Sequence, residues 1–295
     1  MINWLSALRA RFQQRGSKPA PPEPATPIER YLANGRLPWT PGYWEYRLRF
    51  TAEALANAEL SQTFRACQPL PAGYGARLDE RVVEYPWVLS RLADQPGLTL
   101  DAGGTLSYGY LLNLPTLQHR RLLVYSLTHD SEMVTRPTVS YLRGDLRCLP
   151  LTAAAVDAIV CISTLEHVGL DNTQVYGANE FYREQRPQTY RGVLHEFQRL
   201  LTPGGKLYLT VPFGQYANHG WLQQFDEPMV NTLISDFSGR LETLTFFRYQ
   251  PEGWQVASAG ECRDARYFDV HQQPDHAPDF AAAARAVACL ALVKG

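Results

Sequence analysis

Residues 144–170, GDLRCLPLTAAAVDAIVCISTLEHVGL, and residues 201–214, LTPGGKLYLTVPFG, decide how the rest of the chain is read. VDAIVCIS (156–163) and KLYLTVPF (206–213) are near-continuous apolar runs, as expected of strands covered on both faces. Between them, RGVLHEFQRL (191–200) has the apolar spacing of an amphipathic helix, with a stop in the turn at Pro203 and the two glycines after it. Strand, helix and strand in this order predict a mostly parallel sheet with ligand chemistry at the carboxyl ends of its strands.

Upstream, LTLDAGGTLSYG (98–109) reads as a short strand, Leu98 to Leu100, running into Asp101, a glycine turn at Gly103-Gly104 and a helix starting near Ser107. A glycine-rich first turn lets the polar groups of a ligand approach the backbone closely. RRLLVYSL (120–127) and TVSYLRGDL (138–146) supply two more strands. Downstream, LETLTFFRY (241–249) and VACLALVK (287–294) are strand-like, and the latter is expected to insert centrally although it ends the chain. Towards the amino terminus, ERVVEYPWVLSRLADQPG (80–97) is helical, Ser61 to Glu80 is loop-like around PAGYG, and a helical pattern begins near Tyr43. GSKPAPPEPATP (16–27) is too proline-rich for helix or core and reads as a linker. Before it, Trp4, Leu5, Leu8 and Phe12 fall on one helical face. That short helix is expected to pack on its own domain or a partner, with weak peripheral membrane contact the lesser reading. The division is therefore residues 1–27, helix and linker; 28–80, a helical cap; and 81–295, the sheet domain.

The 28 basic residues against 29 acidic ones leave a formal charge of −1, so nothing global steers the chain to nucleic acid or an anionic membrane. No apolar run is long enough for a transmembrane helix, and the first fifteen residues lack the pattern of a signal peptide. Five cysteines without a CxxC pair read as core thiols of a reducing compartment, and a cytoplasmic location is expected. Oligomeric state is not written in the sequence.

Asp101-Ala-Gly-Gly, Gly144-Asp145-Leu146, Ser163-Thr-Leu-Glu-His and Leu201-Thr-Pro-Gly-Gly stand in an order that resembles class I S-adenosylmethionine-dependent methyltransferases, the type 11 branch in particular. The resemblance covers residues 82–213 well. It implies an α/β fold, a Rossmann-like doubly wound, mostly parallel seven-stranded sheet with an N-terminal helical extension, and S-adenosyl-L-methionine as cofactor. Residue by residue, it implies that Gly103 and Gly104 receive the methionine end and that Asp101 orients their turn or meets the ammonium group. Asp145 would accept from the adenine amino group, with the Leu146 amide on a ring nitrogen, and Ser163 and Thr164 would line the methionyl side. Two departures stand out. The first turn has Gly103, Gly104 and then Gly109 instead of GxGxG spacing, and the second strand ends in Tyr125 and Ser126 where an acid would grip the ribose, Asp130 following later. Ser126 offers one hydroxyl where a carboxylate would accept two bonds.

The loops leaving the same edge supply the acceptor side: Glu166, Asp171 and Tyr176 from one, Tyr216 and Trp221 from another, with His167 and His219 as candidate bases. Glu166, His167, Asp171, His271 and His276 have no HxxxH or HExxH spacing, so no metal is expected. The expected activity is methyl transfer to oxygen or nitrogen of a small-molecule or sugar-type acceptor. The alternative is a catalytically inactive methyltransferase-like scaffold recruited through its N-terminal extension.

Overall fold

The computed structural model describes residues 26–92, 97–128, 134–177, 179–273 and 276–295. The helix expected over residues 1–15, nearly all of the linker and Asp130 lie outside these residues. Strands β1 (Leu98–Ala102), β2 (Arg121–Ser126), β3 (Val139–Arg143), β4 (Val156–Ile162) and β5 (Leu201–Pro212) pair in the order β3-β2-β1-β4-β5, all parallel. A small hairpin, β6 (Ala217–Asn218) and β7 (Gln223–Gln224), follows β5. The large sheet then continues with β8 (Arg240–Gln250), β9 (Gly253–Ala257) and β10 (Ala286–Val293). As its unbroken apolar run requires, β10 inserts between β5 and β8, antiparallel to both.

The sheet has eight strands, not seven. The extra one, β9, folds back from β8 at Gly253, whose φ is 127° and where a Cβ would lie 2.4 Å from the Tyr74 carbonyl oxygen. Trp254 then donates its backbone N–H to that oxygen at 2.8 Å and its indole N–H to the Leu78 carbonyl at 3.0 Å. Leu201 to Gly205 also differ from expectation. Leu201 pairs with Val156 and the ladder resumes at Lys206 opposite Ala158, so LTPGG is a bulge inside β5 and not a turn before it. Gly204 donates to the Lys294 carbonyl and Lys294 to the Gly205 carbonyl, at 3.0 and 2.9 Å, which fastens the bulge to the end of β10.

Four helices precede the sheet: α1 (Pro27–Ala33), α2 (Tyr43–Ala56), α3 (Ala58–Arg65) and α4 (Arg81–Leu89). The expected loop from Ser61 thus begins as helix, because Asn57 caps α3 by accepting from the Leu60 N–H at 3.0 Å. The helix expected near Ser107 is two single turns, α5 (Gly109–Leu112) and α6 (Pro115–Gln118), the chain being broken by Pro115. Beyond β4 lie α7 (Thr173–Tyr176), α8 (Tyr190–Leu200), α9 (Glu227–Phe237) and α10 (Ala259–Cys262). Phe197 of α8 and Phe237 of α9 pack with Ile159, Leu209 and Leu290 on one face of the sheet. Tyr31, Tyr43, Phe64, Trp87 and Trp254 pack with Val160, Ile162 and Cys289 on the other. Of the five cysteines, Cys161, Cys262 and Cys289 are buried, whereas Cys148 is exposed and Cys67 half-buried, so the thiols are not all in the core.

Helix α4 is enclosed over its whole length from Val82 to Leu89, which suits its apolar composition. Pro86 lacks the N–H that would bond the Val82 carbonyl, and the Tyr74 hydroxyl donates to that carbonyl instead, at 2.7 Å. Glu84 is completely buried in this helix. Its Oε1 accepts from the Ser163 and Thr210 hydroxyls, both at 2.6 Å, and its Oε2 pairs with Arg81. One carboxylate therefore fastens α4 to the carboxyl ends of β4 and β5. Glu84→Ala should strand the Arg81 charge and both hydroxyls, and cost about 3–5 kcal/mol in urea denaturation; a loss below about 1 kcal/mol would contradict this account of the anchor.

Candidate active site

Asp101, buried at the end of β1, shapes the first turn. Its carboxylate accepts from the Thr105 N–H at 3.0 Å, the Thr105 hydroxyl at 3.3 Å and the Leu106 N–H at 2.8 Å. Burial pushes its carboxyl up to about 7, against the downward pull of these donors. Within the turn Gly103 and Gly104 have φ of 111° and 78°. A Cβ on Gly103 would lie 2.2 Å from Thr164 Oγ1, so only glycine lets β1 and β4 end this close together. The Gly103 N–H donates to the Tyr125 carbonyl at 2.9 Å, tying the turn to β2.

A cavity opens above this turn. Gly103, Ser126, Asp145, Leu146 and Thr164 line it from the strand ends, and His167, Tyr176, Tyr182 and Glu184 from the segment after β4. Asp145 is not a free acceptor. Arg147 donates to its carboxylate from the backbone at 2.8 Å and from the guanidinium at 2.5–3.0 Å. The same guanidinium reaches Glu184 at 2.6 and 2.7 Å. Partial burial raises the Asp145 carboxyl, but Arg147 outweighs it and holds the group below the usual carboxylate range. The carboxylates on this cavity among the described residues are Asp145 and Glu184.

A second cavity, of about 400 Å³, lies on the other side of the β4 terminus. Glu80 and Arg81 of the N-terminal part, Ser163, Glu166 and His167 after β4, and Trp221 and Tyr267 from later loops line it. Ser163 reaches Glu84 from a strained position, φ 37°. Asp79, also on the wall, accepts from the Tyr43 hydroxyl at 2.9 Å and from Arg47 at 2.5 Å. Burial pushes the Glu80 and Glu166 carboxyls up to about 8, reinforced at Glu80 by Asp79 and Glu84. Burial likewise pushes the His167 imidazolium down to about 4. His167 Nδ1 lies 3.0 Å from the Trp221 carbonyl oxygen, which can only accept. The ring is therefore neutral with its proton on Nδ1, and Nε2 is the acceptor.

The acceptor-side residues expected from sequence separate. Glu166, His167 and Trp221 line the second cavity, whereas Tyr176 lines the first. Asp171 accepts from the Thr173 N–H and hydroxyl at the start of α7 and pairs with Arg183, and it lines neither cavity. Tyr216 is exposed and also lies off both. His219 lines neither; its Nδ1 is 3.4 Å from Asp269, the residue that accepts from the Trp221 indole at 3.1 Å. It stands behind Trp221, off both cavities. Glu80, Glu84, Arg147 and Glu184 were not singled out by sequence. Helical charges are usually solvated, and Arg147 and Glu184 are 37 residues apart with no motif joining them. Among the described residues no group of three or more histidine, cysteine or acidic side chains is placed to hold a metal.

Residues 108–209 match a family model described as a methyltransferase domain. That segment of the chain is a methyltransferase domain. No curated protein matches the chain in sequence. The Burkholderia thailandensis 1,6-didemethyltoxoflavin-N1-methyltransferase, solved with 1,6-didemethyltoxoflavin and S-adenosylhomocysteine, is similar at 16% identity and a TM-score of 0.43, over 86% of this chain and 90% of that one. The [4+2]-cyclase SpnF is similar at 14% identity and 0.43, over 84% and 94%. An S-adenosylmethionine-dependent methyltransferase from Mesorhizobium loti is similar at 12% and 0.42, over 70% and 97%. The residues present fit S-adenosylmethionine, the cofactor that the sequence resemblance implies. The first cavity has a glycine floor that a side chain at Gly103 would fill, two carboxylates, and an arginine whose charge both of them already hold.

Protonation makes the site a source of pH-dependent stability. Asp101, Glu80 and Glu166 hold their protons to about 7–8 when folded and release them near 4 when unfolded. Across that window the folded state binds more protons, so stability is highest below it and declines as pH rises through the folded values. His167, lowered from 6.5 to about 4, opposes this below pH 6.5 only. Stability from urea denaturation should fall most steeply between about pH 6 and 7 and level off above about pH 8, by on the order of 1 kcal/mol per group per pH unit at most. Glu166→Gln should make the fall shallower, and an unchanged slope would contradict the raised value.

Proposed function

We propose that this methyltransferase carries a methyl group from S-adenosylmethionine, bound in the first cavity, to an oxygen or nitrogen of a small-molecule acceptor, sugar-type metabolites included, bound in the second. The observation behind this reading is that the two cavities meet at the β4 terminus, with Thr164 on one, Ser163 on the other and His167 on both. The second cavity is of a size that suits a small molecule.

When bound, the cofactor supplies a methyl group made electrophilic by its sulfonium. Gly103 and Gly104 would receive the methionyl end, with Asp101 setting their turn and Thr164 beside them. Leu146 would offer its amide to the adenine ring. Asp145, although paired with Arg147, retains lone pairs for the adenine amino group. Ser126, at the end of β2, and Glu184, on the same cavity, would take the ribose hydroxyls. Within the second cavity His167 would accept a hydrogen bond at Nε2 and turn the acceptor's lone pair towards the methyl group. Held down to about 4, it is too weak a base to keep the proton at neutral pH.

Calorimetric titration with S-adenosylhomocysteine should show binding, weakened at least about tenfold in Gly103→Ala, where a methyl group collides with Thr164. Labelled methyl should then pass from S-adenosylmethionine to a compound in the low-molecular-weight fraction of a cell extract, and His167→Ala should slow that transfer. Absence of S-adenosylhomocysteine binding at millimolar ligand would overturn the reading.

A further inference from the structure

The second cavity contains more acid than its own cations can balance. Asp79 is neutralised by Arg47, and Glu84 by Arg81. Glu80 and Glu166 are in no ion pair among the described residues. Glu80 Oε2 accepts from the Ala284 N–H, at 3.2 Å. Glu166 is 3% exposed, and its buried Oε2 has no hydrogen-bond partner among the described residues. A buried carboxyl oxygen without a partner costs about 1–3 kcal/mol, so an acidic wall of this kind calls for a donor from outside the chain.

Resting on the proposed methyl transfer, we infer that the acceptor is a cationic amine, seated between Glu166 and Glu80 with its apolar part against Trp39 and Trp221, and that the enzyme methylates its nitrogen. An ammonium brings three donors and one positive charge, which satisfies the Glu166 oxygen and balances one of the two unpaired carboxylates. Both tryptophans lie on the same wall, where a cation gains from aromatic faces. A hydroxyl would satisfy one oxygen and leave the charge unbalanced. A carboxylate or phosphate would meet two further acids and find both arginines already taken.

The same arrangement disposes of the proton. Ammonium binding favours ionised Glu166 and Glu80. The ammonium then gives one proton to the Glu166 carboxylate, and the freed nitrogen lone pair forms the N–CH₃ bond. As that bond forms, the methyl–sulfur bond breaks and its electron pair stays on sulfur, leaving a neutral thioether and a protonated methylamine. Glu166, with its carboxyl raised to about 8, is matched to this exchange near neutral pH, as His167 is not.

The test uses three probes of one shape, 2-phenylethylamine, 2-phenylethanol and 3-phenylpropanoate, titrated calorimetrically into the full chain saturated with S-adenosylhomocysteine. The amine should bind at least about tenfold more tightly than the alcohol, the carboxylate should not bind, and the amine's heat should vary with the buffer because a proton is released. Glu166→Gln and Glu80→Gln should each weaken the amine about tenfold or more and leave the alcohol unchanged, with S-adenosylhomocysteine binding retained as the check that each variant folds. Equal binding of amine and alcohol, or preference for the carboxylate, would overturn the inference while the cofactor reading stands. Loss of S-adenosylhomocysteine binding by the wild-type chain would instead overturn the reading beneath it.

Discussion

The Glu84 carboxylate, fully removed from water, is the contact on which the site depends. It is shared by the Ser163 hydroxyl from the β4 terminus, the Thr210 hydroxyl from β5 and the Arg81 guanidinium one turn back along α4. A charge in that position is tolerated only when its partners are complete, and completing them requires α4 to sit across the strand ends. That seat places Glu80 and Arg81 over the carboxyl edge of the sheet and brings Asp79, with Arg47 and Tyr43 behind it, onto the same wall. The N-terminal helices thereby supply one side of a cavity whose other side comes from the segments after β4, between β6 and β7, and after α10. Ser163 has a positive φ at the point where the two sides meet, which is where strain is expected if the strand end must turn a hydroxyl inward.

The two cavities differ in how their charge is settled. In the first, Arg147 is bound by Asp145 and Glu184 and holds the Asp145 carboxyl low. A lining of this kind tolerates a sulfonium and still leaves carboxylate lone pairs for hydroxyl and amino groups. In the second, two arginines serve Asp79 and Glu84, and Glu80 and Glu166 are left to hold protons because burial disfavours their charge. The neutral His167 stands between them, its tautomer set by a carbonyl of Trp221 that Asp269 in turn holds through the indole. On the proposed reading, displacement needs approach along a line and a place for the proton, and His167 and Glu166 stand at this boundary for it.

Most of the parallel half of the sheet was legible in the sequence, because strands covered on both faces must be continuously apolar and those runs are conspicuous at 156–163 and 206–213. The central place of the terminal strand was legible for the same reason. β9 was not, since GWQVA is short and its turn depends on Gly253 passing against the Tyr74 carbonyl, a contact 179 residues distant in sequence. LTPGG looked like a turn, as proline and glycines usually signal, and only pairing with Val156 makes it a bulge. At the site, the glycine turn and the residues at the β4 terminus were legible because a ligand must approach the backbone there. Glu80 and Glu84 were hidden in a helix whose acids would ordinarily face water. His219 looked equal to His167 by residue type, and what separates them is placement alone.

A crystal structure of the full chain with S-adenosylhomocysteine tests the central claim most directly. The ligand is expected in the cavity above Gly103 and Gly104, with its adenine at Leu146 and its sulfur beside Thr164, directed across His167 towards Glu166. A ligand bound elsewhere, or one in the second cavity against Glu80 and Trp221, would contradict it.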